Sequence, residues 1–332
     1  MLIEACYNDF VEHLLSSERP AMPAKIILNP YSNRWGAKKR APEMLQQLRA
    51  LGYAFEMVTM AGPGHGVELA REAMAQGFDP IVAAGGDGSI SEVVNGMIGE
   101  DGVAGATLGV IPLGSANDYA YQLGIPDDLA AACQTLTAAQ HIRRLDVGRV
   151  DDRIFMNDFI LGLGAQTNIE AAKIHWLRGS MLYVAGALKA IAKARWPRVG
   201  FEWDGGKIEK KRIVVAYVGN GYRTGGVYFF TPDARLDDGL LDFAVADARS
   251  RFKVLQLLPK TFKGTHVREP GVQVERCTWL HIESDDPLPA LADGELIATA
   301  AYAFHIQILP GALQVIAGET PGPRPPEFGI AG

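Results

Sequence analysis

Between Lys25 and Leu145 the chain alternates short apolar runs with segments of helical period, and nothing else in the sequence restricts the fold as strongly. Strands read at 25–29, 54–60, 80–84 and 107–111, and helices at 37–51, 67–75 and 91–98. Strands that alternate with helices predict a parallel sheet with helices on both faces, because parallel neighbours need a long crossover between them. Ligands of such sheets bind at the carboxyl ends of the strands.

From about Val147 the pattern changes. Strand-like runs at 153–158, 212–220, 240–247, 272–283 and 303–309 are separated by Gly, Asp and Pro clusters, including 204–206, 237–239 and 293–294. Many short strands with turn signals predict an antiparallel sandwich or barrel, with one helix expected over 181–194. A short amphipathic helix is expected over 2–15, ahead of Met22 and the first strand. If Met22 is the start used in the cell, that helix has no role. The Pro-rich stretch from Thr320 to Pro326 is expected to be disordered.

Charge and cysteine usage exclude several classes. With 32 Lys and Arg against 38 Asp and Glu in 332 residues, the net charge of -6 argues against a general nucleic-acid binder. Cys6, Cys133 and Cys277 are too few and scattered for a disulfide framework or zinc cluster, and read as reduced thiols of a cytoplasmic protein. The acidic N-terminus carries no secretory pattern. Residues 296–318 contain no Asp, Glu, Lys or Arg, but Phe304, Ile306 and Ile308 alternate with His305 and Gln307, so the segment reads as a strand rather than a membrane span.

Three loops carry candidate chemistry. Gly85-Gly86-Asp87-Gly88-Ser89 follows an apolar strand and precedes a helix. Glycines let backbone amides approach a phosphate, and the helix start faces the same anion. Asp87 fits beside phosphates if a divalent cation bridges them; a capped strand-to-helix turn is the alternative. Gly114-Ser115-Ala116-Asn117-Asp118 repeats the logic after the next strand, although Ser and Asn also cap helices routinely. Asn29-Pro30-Tyr31-Ser32-Asn33-Arg34 closes the first strand and offers Ser32 and the Asn33 amide to a phosphate with Arg34 as positive charge, although by itself it reads as a plain turn. No Walker A, GxGxxG, HExxH or GxSxG pattern is present.

Together with the Gly64–Gly66 triplet, 145–148, 219–242 and the Asp293-Gly294-Glu295 triplet, these loops resemble the diacylglycerol kinase catalytic-domain family in order and spacing. That family includes bacterial lipid kinases, sphingosine kinases and ceramide kinases. The likeness covers about Ala24 to Ile316. The GGDG element alone is shared with 6-phosphofructokinases and NAD kinases; the full set is specific to the lipid kinases. Asn33 stands where the family has glycine, and tolerates left-handed backbone better than most residues. Ser89 replaces the commoner Thr and keeps the hydroxyl.

The resemblance implies an N-terminal three-layer α/β nucleotide-binding domain of the NAD kinase and diacylglycerol kinase type, over 23–145. It also implies a C-terminal antiparallel β-sandwich lipid domain over 146–311. Residues 1–22 form an extension, the segment near 312–320 is free to return to the first domain, and 321–332 form a tail. The implied ATP site comprises Asn29, Ser32, Arg34, Thr59, Gly85, Gly86, Asp87, Gly88, Ser89, Glu92, Gly114, Ser115 and Asn117. Asp87, Asp118 and Asp146 are implied to organise a catalytic Mg²⁺, partly through water. Asp238, with Arg235 and Leu240, is implied to hold a structural Mg²⁺.

Asp293, with Glu295 and Asp87, is the implied catalytic set, Asp293 taking the proton of a lipid hydroxyl as it attacks the γ-phosphoryl group. From the residues alone, Asp293-Gly294 reads equally as a hairpin turn. The expected activity is ATP- and Mg²⁺-dependent phosphorylation of a membrane lipid, in the simplest case diacylglycerol to phosphatidate, a step of phospholipid biosynthesis. The alternatives are a sphingoid-base, other lipid or polyol kinase, and a lipid-binding protein without turnover.

Residues 170–212 hold ten Lys or Arg against four Asp or Glu, with Trp176, Trp196 and Trp203. Such a stretch either docks on an anionic membrane surface or forms a solvated helix and charged hairpin with its Trp rings in the core. The expected location is the cytoplasm with peripheral membrane contact. No nucleic-acid partner is expected, and a homodimer is among the expected assemblies.

Overall fold

A computed structural model describes residues 23–174 and 180–325, the side chains of 180–183 excepted. The expected helix over 2–15, Met22, Cys6, Trp176 and Arg178 lie outside it.

The first half of the chain is a parallel sheet in the order β4 (Leu108–Pro112), β3 (Ile81–Gly85), β1 (Ala24–Leu28), β2 (Phe55–Thr59). All five residues of β3 and of β4 are buried, since both sheet faces are covered. On one face pack α1 (Ser32–Ala50) and α5 (Leu129–Ala138), through Met44, Leu48, Cys133 and Leu136. On the other pack α2 (His65–Ala75) and α3 (Asp87–Met97), through Leu69, Ala73, Val93 and Met97. A one-turn helix α4 (Asp118–Gln122) follows β4. The expected three-layer α/β architecture is therefore present.

The second half is antiparallel and built on three long strands. In β9 (Gly206–Gly219) the first part pairs with β8 (Arg198–Trp203), and the last part with β7 (Asp158–Gly162) and β10 (Leu241–Asp247). The strand β12 (Trp279–Ala292) likewise pairs with β8 and then β7, while β11 (Val272–Cys277) edges β10. The enclosed core contains Phe159, Phe201, Trp203, Phe243 and Phe304. The strand β13 (Glu295–Ala317) pairs with β12 and then with β5 (His141–Val150), which also carries the short β6 (Arg153–Phe155). At Val315 it reaches β4 in parallel, so one strand joins the two halves.

The structure departs from expectation in several places. Among the described residues, three α-helices rather than one occupy the second half: α6 (Leu163–Ala172), α7 (Ser180–Lys193) and α8 (Arg251–Thr261). The expected strand 272–283 is two strands. Residues 320–325 are packed rather than disordered, because an extended Pro-rich chain leaves carbonyls free. Tyr121 donates its hydroxyl to the Pro323 carbonyl at 2.9 Å and Tyr222 to Gly322 at 2.6 Å, and Arg324 lies over the Tyr222 ring. Cys133 and Cys277 are buried free thiols.

Trp203 is a core residue, and Lys207, Lys210 and Lys211 pair with acidic side chains on their own and neighbouring strands. That part of the basic stretch is a charged hairpin, and Lys173 and Lys193 both serve Glu170. Among the described residues, no helix is long and apolar enough to cross a membrane.

Candidate active site

The glycine-rich loops are brought together because nothing but glycine fits where they meet. Gly86 is extended and leads into α3, so Asp87, Gly88 and Ser89 form the first turn of that helix rather than a loop before it. A methyl group on Gly86 would lie 3.0 Å from the Gly114 Cα, and one on Gly114 would lie 2.4 Å from the Gly86 Cα. The two loops therefore touch backbone to backbone at the ends of β3 and β4. A methyl on Gly85 would strike the Ser89 Oγ at 2.4 Å.

Ser89 is the centre of a polar cluster. Its hydroxyl accepts from the Asn29 amide at 2.9 Å and lies 3.1 Å from the Ser32 hydroxyl. Asn33, Arg34 and Trp35 all have positive φ, and Asn33 at 50° takes the left-handed conformation that it tolerates in place of glycine. The turn lets Asn33 accept the Ser115 hydroxyl at 3.0 Å, which ties the first loop to the third. Glu92 accepts the Gly66 N–H at 2.8 Å and anchors α2 against α3.

A cavity of about 640 Å³ opens beside these loops. It is lined by eight of the expected nucleotide residues: Asn29, Ser32, Gly86, Gly88, Ser89, Glu92, Gly114 and Ser115. Asn33, whose amide the sequence offers to a phosphate, also lines it, as do Tyr31 and Ala61 to Pro63, which were not foreseen. Arg34, Thr59, Gly85, Asp87 and Asn117 do not. Arg34 and Thr59 are exposed, Gly85 lies within β3, and the buried Asn117 side chain is spent on the Gly114 N–H at 2.9 Å.

A second cavity of about 430 Å³ lies behind the first and is mostly apolar. Ile160, Leu163, Val214, Val215, Leu257, Leu258 and Leu291 form much of its wall. Five carboxylates, Asp87, Asp118, Asp158, Asp293 and Glu295, stand along it. Glu295 borders both cavities and pairs with Arg153.

Asp293-Gly294 is a hairpin turn between β12 and β13, with φ of 47° and 77°. Both positive values belong to the tight turn that an Asp-Gly pair favours. The same turn aims the Asp293 carboxylate inward, where it accepts N–H bonds from Met156 at 2.9 Å and Asn157 at 2.8 Å. Burial raises its pKa to about 6 against the pull of these N–H donors. The turn reading and the catalytic reading are thus compatible.

Asp87 accepts the Tyr119 N–H at 2.9 Å, and Asp118 accepts the Gly226 N–H at 2.9 Å and faces Arg223 at 3.5 Å. Burial raises the pKa of both, and that of Asp118 to about 7 with the charge of Asp87 adding to it. Asp158, which the sequence reading missed, takes the Thr224 hydroxyl on one oxygen; the other is buried without a hydrogen-bond partner. Burial raises its pKa to about 8. Asp118 and Asp158 are buried and Asp87 is half-buried, Arg223 is within ion-pair reach of Asp118, and Asp158 keeps an oxygen without a partner, so this group is short of positive charge. Carboxylate oxygens are the donors that a hard divalent cation takes, usually one or two from the protein with waters completing the shell.

Asp146 is set apart from this group. Its oxygens accept the Gly311 N–H at 2.6 Å and the Gly239 N–H at 2.7 Å, so it fastens the 237–239 turn to β13. It lines neither cavity, which separates it from the expected metal set with Asp87 and Asp118. In that turn Asp238 accepts the Leu240 N–H at 3.2 Å and lies 3.8 Å from Arg276, while Arg235 is exposed. Among the described residues, no three His, Cys, Asp or Glu side chains converge as a metal-holding group.

Residues 23–150 match the family described as "Diacylglycerol kinase catalytic domain", and residues 159–317 the family described as "YegS C-terminal NAD kinase beta sandwich-like domain". A diacylglycerol kinase of Bacillus subtilis (strain 168) is 30% identical over 276 residues, 82% of this chain and 89% of that protein. A diacylglycerol kinase of Staphylococcus aureus (strain MRSA252) is 28% identical over 273 residues, 82% and 85% of the two chains. Among solved structures, a diacylglycerol kinase from Bacillus anthracis superposes with a TM-score of 0.73 at 24% identity, covering 91% of this chain and 99% of that one. An NAD kinase from Archaeoglobus fulgidus in complex with ATP gives 0.51 at 14% identity, covering 91% and 96%. These last two show likeness of fold.

Proposed function

The chain belongs to the diacylglycerol kinase family, which makes it an ATP-using lipid kinase with an alcohol acceptor, and we propose that its acceptor is diacylglycerol, its product phosphatidate and its metal Mg²⁺. The observation that carries the reading is the position of the Asp293–Glu295 turn. It stands where a polar cavity walled by glycine-rich loops meets an apolar cavity, and Glu295 belongs to both.

The polar cavity offers the amides and hydroxyls of the three loops to the phosphates of ATP. The apolar cavity shelters an acyl chain whose glycerol hydroxyl lies toward the carboxylates. Asp293, held by N–H groups from β7 and the residues before it, takes the proton of that hydroxyl as it attacks the γ-phosphoryl group. With a pKa of about 6 it is ionised at pH 7 and still basic enough to accept a proton. Arg153 and Glu295 hold each other at the junction and position the acceptor. Asp87 and Asp118, with Asp158 behind them, would hold Mg²⁺. The ion would supply positive charge to the phosphates and neutralise the charge that develops on transfer. Asp238 and the carbonyls of Arg235 and Leu240 are the proposed holders of a second, structural Mg²⁺.

The test is incubation with labelled ATP, Mg²⁺ and a panel containing diacylglycerol, ceramide, sphingosine and glycerol. Label in phosphatidate supports the reading. Label in another acceptor, or ATP binding without transfer to any lipid, rejects it.

A further inference from the structure

The helix α8 is apolar on two faces, and only one is accounted for by the fold. Val254, Leu257 and Leu258 turn inward and line the apolar cavity. Facing solvent at the spacing of one helix face are Phe252 (68% exposed), Leu255 (38%), the exposed Pro259 and, just past the helix end, Phe262 (42%), one side of whose ring stacks on Tyr228 at 4.8 Å. A surface helix ordinarily turns polar residues to water, so an outward apolar stripe marks a face that meets something else. The helix is held in place. Ser250 caps it by accepting the Lys253 N–H, and Arg251 donates to the carbonyls of Ile191 and Ala194 at the end of α7.

The charge around the stripe is one-sided. Residues 249–268 contain six Lys or Arg and no Asp or Glu, in a chain whose net charge is -6. Arg249 and Arg251 are committed to backbone carbonyls, and Lys260 to Glu269. Lys253 and Lys263 flank the stripe, exposed. Aromatic and aliphatic side chains on one face with lysines beside them are the arrangement by which an interfacial helix lies on an anionic bilayer. The other face of the same helix is the cavity wall, so a bilayer against the stripe is about one helix diameter, roughly 10 Å, from the acyl space.

We propose that the outer face of α8 is the membrane-docking surface, with Phe252, Leu255 and Phe262 entering the headgroup boundary and Lys253 and Lys263 meeting anionic headgroups. The proposal deepens the lipid-substrate reading above, which supplies the reason for the surface. Docking is measured without ATP or turnover, so the two fail separately.

The experiment compares the full chain with Phe252→Ser/Leu255→Ser and Lys253→Glu/Lys263→Glu in co-sedimentation with vesicles. One set is phosphatidylcholine with phosphatidylglycerol, the other phosphatidylcholine alone. Phosphorylation of a short-chain diacylglycerol dispersed below its micelle limit is measured in parallel. Each double variant is expected to bind the anionic vesicles about tenfold more weakly, the lysine variant losing the preference for anionic over neutral vesicles, with turnover of the dispersed substrate unchanged in both. Unchanged vesicle binding in the lysine variant, whose substituted side chains are exposed, overturns the proposal. So does a dimer that dissociates in the Phe252→Ser/Leu255→Ser variant, since the stripe would then be covered by a second copy of the chain.

Discussion

Replacing Asp293 by Asn separates chemistry from stability at the one side chain assigned to proton transfer. Its Oδ1 accepts N–H bonds from Met156, Asn157 and Asp158 at 3.1, 2.8 and 3.3 Å. An asparagine placed with its amide oxygen there keeps all three, while its NH2 group replaces the oxygen that accepts the Met156 N–H at 2.9 Å. The carboxyl is raised from 3.8 to about 6 in the fold. A carboxyl raised in this way destabilises the folded state as pH rises from the unfolded to the folded pKa, by at most about 3 kcal/mol above pH 6. Asparagine cannot ionise and escapes this loss.

In urea unfolding with EDTA present, the stability of Asp293→Asn relative to the parent should therefore improve by roughly 1.4 kcal/mol between pH 5 and pH 7.5. The same variant should lose about 10²- to 10⁴-fold in kcat, the usual contribution of a general base, while isothermal titration still detects ATP. Turnover within threefold of the parent would refute the assignment of the base. A variant that becomes relatively less stable as pH rises would refute the account of the carboxyl's environment.

Further outcomes follow from the same geometry. With Asp293 as base, kcat/KM should fall about tenfold per unit below pH 6 and level off above it; a profile flat to pH 5 would reassign the proton acceptor. Gly114→Ala puts a methyl 2.4 Å from the Gly86 Cα. It should cost about 10²-fold in kcat/KM for ATP, and retention of normal ATP kinetics would mean that contact between the loops is not required. Asp118 and Asp158, raised by burial to about 7 and 8, destabilise the fold increasingly as pH rises toward 8 in the absence of metal. Thermal unfolding should accordingly show a larger Mg²⁺ stabilisation at pH 8 than at pH 6, lost in Asp118→Asn; equal stabilisation in that variant would move the ion elsewhere. Ala246→Phe fills part of the apolar cavity and should lower kcat/KM for long-chain relative to short-chain diacylglycerol about tenfold. An unchanged ratio would show that the acyl chain lies outside.

The nucleotide half was legible because its signals are local. Gly86 and Gly114 announce backbone contact through the lack of a side chain, and the buried runs of β3 and β4 announce a sheet covered on both faces. Asn33 was readable as a left-handed residue for the same reason. Roles that depend on long-range pairing were not readable. Asp158 begins a strand, and only the antiparallel partners of β7 carry it to Asp293 and Thr224. Asn117 and Asp146 read as ligands in sequence, and only the fold shows that both side chains also accept the N–H groups of neighbouring loops. The helices α6 and α8 escaped because their composition misleads. One opens with Leu163 and Gly164 directly after Gly162, and the other carries Pro259 and places apolar residues toward solvent. The Pro-rich tail has the composition of disorder, and its packing depends on tyrosines about 100 and 200 residues upstream.

The central claim is that one turn joins an ATP cavity to an acyl cavity so that a lipid hydroxyl receives the γ-phosphoryl group. Mass spectrometry of the product formed from γ-¹⁸O-labelled ATP and diacylglycerol with Mg²⁺ tests it most directly. The expected result is labelled phosphatidate from the parent protein and none from Asp293→Asn. Label recovered only in inorganic phosphate, or in a sphingoid base offered in competition, would contradict it.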